Sequence, residues 1–220
     1  MNYTPDKDRI ARRIARCLHT GDVVNLGIGL PTLVADHVPA GVEILLQSEN
    51  GMMGLGPFAA PGQGDRDLTN AGGGLVTLRT GGCFFDSAAS FAIIRGGHVD
   101  CAVLGVLEVD QLGNLANYKV PGERVPGMGG AMDLAAGARR IIAASLHFDP
   151  AGGSRLKRRC TLPLTAAGRV ELVVTDLGMF QVADDRFLLT ECFEPYDPEW
   201  IRASTDADVA VAPGCRMVSA

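Results

Sequence analysis

No apolar run in this 220-residue sequence approaches the roughly 18 residues that a membrane-spanning helix needs, although hydrophobic residues make up 47% of it. A soluble protein with no membrane partner is therefore expected. The opening segment, Met1-Asn2-Tyr3-Thr4-Pro5-Asp6, is polar and has no apolar signal core, which predicts a cytoplasmic location. Positive charge is also scarce. Net charge is −5, and the single dense basic cluster, Arg155-Leu156-Lys157-Arg158-Arg159, has no aromatic neighbours on which bases could stack, so nucleic acid is not an expected partner. The six cysteines (Cys17, Cys83, Cys101, Cys160, Cys192 and Cys215) include no CxxC spacing, and the four histidines (His19, His37, His98 and His147) no HxxxH spacing. Free, mostly packing thiols are predicted, and no metal site. A GxxxxGK[ST] phosphate loop is missing too. Gly27-Ile28-Gly29 follows a strand-like run as a dinucleotide fingerprint would, but Pro31 and Thr32 occupy the region of the third glycine. Nucleotide triphosphatase and nicotinamide chemistry are both disfavoured.

What the sequence does contain is glycine and proline, 28 and 12 residues, spread between short periodic segments. That pattern marks tight turns between strands and helices. Ile10, Ile14 and Leu18 recur on one helical face between Pro5 and Gly21, a first-turn proline and a C-terminal cap. Val23–Leu26 reads as a strand and Thr32–His37 as a helix. Further strand-like runs lie at 42–47, 75–78, 99–107, 140–144, 170–175 and 187–191, with helical segments at 87–95 and 197–203. Such alternation predicts an α/β fold with a largely parallel sheet flanked by helices. With no dividing linker and no repeat, residues 1–220 form one domain of ordinary size.

Ser48-Glu49-Asn50-Gly51 stands where the run 42–47 breaks into the glycine-rich stretch 51–57. A carboxylate at a strand end, among small residues, is either a nucleophile toward an activated carbonyl or a solvated loop acid. Asn25 is an amide in an apolar run, so it either forms a turn or aims into a site. Gln47 and Ser48 pose the same choice, against local hydrogen bonding to the strand end. The cluster from Pro126 to Asp133 contains Gly127, Gly129 and Gly130, whose backbone N–H groups either face a developing oxyanion or make a tight turn before a helix.

Gln47-Ser48-Glu49-Asn50-Gly51 followed by Gly54-Leu55-Gly56-Pro57 resembles the active-site signature of the B subunits of 3-oxoacid CoA-transferases, which include succinyl-CoA:3-ketoacid and acetate/acetoacetate enzymes. The likeness covers most of the chain. It takes in Val24–Thr32, Phe84–Ala88, Ile94–Asp100, Gly113–Asn117, Val125–Leu134 and Cys160–Thr165. The resemblance implies that Glu49 attacks an acyl-CoA thioester to give an acyl-glutamyl anhydride. CoA thiolate then returns to give a glutamyl-CoA thioester, and an acceptor acid reverses both steps. Asn25 and the Gly127, Gly129 and Gly130 segment match positions that orient the glutamate or the oxyanion. Gln47, Ser48, Asn50, Gly51, Val106 and Glu108 become substrate-side residues. CoA is then a substrate, and no separate cofactor is implied.

The sequence departs from the family pattern in places. Asn70-Ala71-Gly72-Gly73 carries glycine where many relatives have lysine, so no cationic role passes to Gly73. Val106 and Glu108 stand where small residues and glutamine are common, which predicts a narrowed or recharged acyl pocket, and Tyr118 replaces a frequent tryptophan. Val120–Met128 resembles the acetoacetate and short-chain type. The resemblance also implies a homologous A subunit in a heterodimer or heterotetramer, and an isolated chain without activity. Two rival readings keep the same residues: an acyl-CoA hydrolase or isomerase with Glu49 as general base, and a noncatalytic polypeptide that holds a partner or ligand.

Overall fold

In a computed structural model, residues 3–70, 72–122 and 127–219 are described. Helix α1 (Lys7–Ala15) starts at Asp6, whose carboxylate accepts from the Arg9 backbone N–H, and it buries Ile10 and Ile14. Strand β1 (Val23–Leu26) leads to a 3-10 helix, Leu30–His37, with proline in its first turn. Strands β2 (Leu45–Ser48), β3 (Met52–Phe58) and β4 (Val76–Phe84) follow, then helix α2 (Ser87–Arg95), capped by the Asp86 side chain. Next come β5 (Cys101–Gly105), β6 (Glu108–Asp110), β7 (Leu115–Ala116), helix α3 (Ala131–Gly137) and β8 (Arg140–Ala144). The chain continues through β9 (Leu156–Lys157), β10 (Leu172–Val174), β11 (Gly178–Ala183) and β12 (Arg186–Phe193). Helix α4 (Pro198–Ala203), capped by Asp197, and β13 (Val209–Val218) complete it. None of the described helices is long and apolar enough to cross a membrane.

Ten strands form one sheet in the order β13-β12-β11-β10-β8-β5-β1-β2-β3-β4. Its middle, from β10 to β2, is entirely parallel. β3 and β4 extend it as antiparallel strands on one side, and β11 is antiparallel to both its neighbours on the other. The outermost pair on that side, β12 and β13, is parallel again. The expected α/β sheet is thus present, with a parallel centre interrupted by antiparallel pairing toward both edges.

Side chains alternate across this sheet because successive residues of a strand point to opposite faces. Along β5, Cys101 and Val103 pack with α1 and Val34, whereas Ala102 and Leu104 pack with Ile94 of α2 and Leu134 of α3. β8 repeats the division: Ile142 and Ala144 lie on the first face, Ile141 and Ala143 on the second. Strands buried on both faces read as continuous apolar runs, which is why 140–144 is legible as a strand.

Parallel pairing brings the carboxyl ends of β2, β1, β5 and β8 to one edge. Glu49, Gly27, Val106 and Ser145 follow those strands there. Ligands of open α/β sheets bind outside the carboxyl ends of the strands.

Two buried polar groups tie outlying segments to this frame. Burial by itself would raise the pKa of Glu191, but Arg13 of α1 and Arg216 of β13, both bonded to it, hold it below the usual carboxylate value. His147 is fully buried, its ring nitrogens 3.2 Å from Thr175 Oγ1 and 3.0 Å from Thr205 Oγ1. Burial pushes its pKa down to about 3.

Candidate active site

The register of β1 and β2 sets Asn25 directly beside Gln47. Both point to the α2 face, where burial without partners would be costly. The partners are present. Asn25 Nδ2 donates to Gln47 Oε1 at 2.7 Å, to the Gln47 carbonyl at 3.2 Å and to Glu49 Oε2 at 3.3 Å. Gln47 Nε2 in turn donates to Ser90 Oγ of α2 at 3.0 Å, and the Ser90 hydroxyl donates to the Ser48 carbonyl at 3.4 Å. Asn25, Gln47 and Ser90 are at most 3% exposed. A buried chain of three polar residues therefore ends on a half-buried carboxylate.

The turn after β2 presents that carboxylate. Gly51 adopts φ +112°, and a Cβ there would lie 2.1 Å from the Phe85 carbonyl oxygen. Its N–H donates to the Ser48 carbonyl at 3.1 Å, and its carbonyl accepts from Phe85 N–H at 3.0 Å. Only glycine combines that φ with that approach. Asn50 points away from Glu49 chemistry: its amide donates to the Thr69 carbonyl at 2.7 Å and fastens the turn to a neighbouring loop.

Gly130, the residue preceding α3, covers Glu49. A Cβ at position 130 would sit 3.4 Å from Glu49 Cγ, 3.5 Å from its Cβ and 3.5 Å from Phe91 Cε1. Gly127 and Gly129 have φ of +106° and +54°, with open space where a side chain would project. Residues 123–126 of the short-chain-type loop, Pro126 of the glycine cluster and Ala71 of the Asn70–Gly73 block lie outside the described residues.

Ser48 faces away from the chain of amides, toward a groove shared with Leu26, Leu46, Phe58, Asn70 and Val76. Its hydroxyl is buried and has no partner, and the same is true of Asn25 Oδ1.

Two expected substrate residues have other surroundings. Glu108, expected to recharge the acyl pocket, instead accepts at its carboxylate from Thr161 N–H (2.6 Å), Thr161 Oγ1 (2.7 Å) and Leu162 N–H (3.0 Å). It anchors the 161–162 loop to the small sheet β7-β6-β9, with both carboxylate oxygens accepting bonds there. Val106 is 7% exposed and packs in the core beside α2 and α3, with one surface on a crevice at the ends of β5 and β8. Ser90 and Phe91 escape sequence reading, since nothing in an apolar helical segment marks which residue meets a strand 43 positions earlier.

The arrangement is a carboxylate with one oxygen steered by an amide, partly shielded from water and facing a glycine backbone. Comparison with known proteins then places it. The family model described as Coenzyme A transferase matches residues 7–192. The beta subunit of acetate CoA-transferase from Haemophilus influenzae is 54% identical over 94% of this chain and 92% of its own length. The B subunit of a probable succinyl-CoA:3-ketoacid coenzyme A transferase from Bacillus subtilis is 47% identical over 94% of this chain and 95% of its own. Among solved structures, an acyl-CoA transferase from Escherichia coli O157:H7, in a thioester complex with CoA, shares the fold with a TM-score of 0.77. It is 21% identical over 99% of this chain and 44% of that longer one. The family match over most of the sequence and the alignment with B-type subunits along nearly their full length show that this chain belongs to the coenzyme A transferase family.

Proposed function

We propose that this chain is the catalytic B-type half of a 3-oxoacid CoA-transferase and that Glu49 is its nucleophile. The observation that carries the reading is the buried chain Ser90–Gln47–Asn25, which ends on the Glu49 carboxylate beneath Gly130. In the first step a Glu49 oxygen attacks the thioester carbonyl, the C–S bond breaks, and CoA leaves as thiolate. The thiolate then attacks the Glu49 carbonyl of the mixed anhydride and expels the donor as a free carboxylate. The acceptor acid attacks the glutamyl-CoA thioester, and the returning thiolate completes the transfer, so thioester energy is kept throughout.

Holding Glu49 by one oxygen reduces the motion lost on reaching the thioester carbon. With the Asn25 amide engaged by Gln47 and Glu49, the backbone of Gly127, Gly129 and Gly130 supplies donors for the tetrahedral oxyanion; one such donor is worth about 2.7–4 kcal/mol in comparable sites. Water must be excluded, because hydrolysis of either intermediate wastes the thioester. The substrates are a short-chain acyl-CoA or succinyl-CoA and a 3-oxoacid such as acetoacetate. Relatives named as beta or B subunits, and a solved relative more than twice this chain's length, support a homologous A subunit. In this reading the A subunit closes the site, in a heterodimer or heterotetramer in the cytoplasm.

Glu49→Gln keeps size and polarity but removes the nucleophile. The assembled enzyme carrying it is expected to lose at least about a thousandfold in kcat, as removal of a covalent nucleophile does elsewhere. Undiminished turnover by that variant would make the chain noncatalytic. Steady loss of acyl-CoA by wild type without an acceptor acid would make the enzyme a hydrolase.

A further inference from the structure

Buried polar atoms are nearly always paired, so those that are not need a reason. Of the five such side-chain atoms among the described residues, Asn25 Oδ1 and Ser48 Oγ belong to residues already placed at the candidate active site. Two others, Ser145 Oγ and Arg155 Nε, are buried atoms of residues that border a single crevice outside the carboxyl ends of β5 and β8. Ser145 is 5% exposed.

The crevice has cationic walls. Arg155 is half-buried, with its Nη1 donating to the Val106 and Leu107 carbonyls at 3.4 and 3.2 Å, which leaves Nε unused. Lys7, at the start of α1, lines the same crevice. Neither has an acidic partner within 4.0 Å among the described residues, whereas Lys157 and Arg158 of the same basic cluster pair with Asp206 and Asp208. Lys7 and Arg155, two cations without an acidic partner among the described residues, thus border one crevice with Ser145 at the edge where this sheet type binds ligands.

We propose that this crevice holds the phosphate groups of the coenzyme, on the reading that Glu49 exchanges CoA. β2 and β8 are three strand steps apart, with β1 and β5 between them. At about 4.8 Å per step the Ser145 end lies roughly 14 Å along the edge from the strand that carries Glu49. An acid acceptor must bring its carboxylate to Glu49 itself, and the second carboxylate of a short dicarboxylate does not reach so far. A group that stays remote while the sulfur reacts is the phosphorylated end of CoA, joined through its extended pantetheine arm. Phosphate oxygens accept from guanidinium, ammonium and hydroxyl donors together, and the phosphate charge offsets both cations.

The test measures calorimetric binding of CoA, pantetheine and inorganic pyrophosphate to the enzyme assembled with its partner subunit, as wild type, Lys7→Gln and Arg155→Gln. Lys7 is exposed, so its variant reports even if Arg155→Gln disturbs the loop. CoA is expected to bind about tenfold more weakly to each variant, a loss of about 1.4 kcal/mol. Pantetheine is expected to bind all three alike, and pyrophosphate to compete with CoA on wild type. Unchanged CoA affinity, or equal weakening of CoA and pantetheine, would overturn the proposal. Pyrophosphate that binds alongside CoA would assign the crevice to free phosphate and overturn it as well. Failure of the Glu49 reading looks different: Glu49→Gln would keep both CoA binding and turnover.

Discussion

At the residue scale, Glu49 ends a relay in which Gln47 and Ser90 make no hydrogen bond to its carboxylate themselves. Ser90 accepts from Gln47, whose own carbonyl oxygen accepts from Asn25, so removing one hydroxyl leaves a buried amide N–H unpaired. Ser90→Ala is expected to cost about 1–3 kcal/mol of stability, measured by denaturant unfolding. On the proposed mechanism it should also lower kcat with little change in KM, because Ser90 is linked to Glu49 through Gln47 and Asn25; a variant with wild-type kcat would show that Gln47 and Asn25 hold their places unaided. Asn25 and Gln47 are visible in the sequence as amides in apolar strands, and Glu49 as a carboxylate at a strand end. Ser90 is not, nor are the hydrogen-bond partners of Glu108, since Thr161 lies 53 positions away. Long-range partners of this kind leave no local mark.

At the scale of elements, the turn between β2 and β3 is the part that cannot be varied. Gly51→Ala would combine φ +112° with a 2.1 Å approach to the Phe85 carbonyl. The loss expected is at least about 2 kcal/mol, as for a residue forced into glycine-only backbone space, together with displacement of Glu49. A melting temperature and turnover equal to wild type would contradict this account of the turn. The same turn shows where sequence reading stops. β8 is recognisable over its whole length because both its faces are apolar, whereas β3 contains Gly54, Gly56 and Pro57, residues that argue against a strand. It forms because Gly54 lets the backbone approach Gly82 of β4, a Cβ at 54 being 2.8 Å from the Gly82 Cα. β13 is hidden likewise: Pro213 and Gly214 interrupt it, and its pairing with β12 shifts register between Leu189 and Glu191 to accommodate them. β6, β7 and β9, two or three residues each, are too short to show any period. The segment 32–37, expected as a helix, is a 3-10 helix from Leu30, and β2 is shorter than 42–47 because residues 39–42 form a turn.

At the scale of the molecule, acid stability follows from groups that the fold buries. His147 has a folded pKa of about 3, below its unfolded value near 6.5, so the unfolded chain takes up a proton that the folded one refuses. Stability therefore falls as pH drops from about 6.5 toward 3, by at most about 1.4 kcal/mol per pH unit from this residue. His147→Asn should be less stable at neutral pH, where the Thr205 bond is lost, yet show a shallower decline on acidification in urea unfolding. Parallel pH dependences for the two proteins would exclude His147 as a source of acid sensitivity. The whole molecule also sets the layout of the site: the carboxyl edge of the sheet carries Glu49 and the cationic crevice together. The most direct measurement is intact-mass analysis with peptide mapping of the assembled enzyme after exposure to acetoacetyl-CoA without an acceptor acid. CoA covalently attached to the peptide that contains Glu49, and absent from Glu49→Gln, is the predicted result. An unmodified Glu49 peptide with continuous release of free CoA would contradict the transferase mechanism.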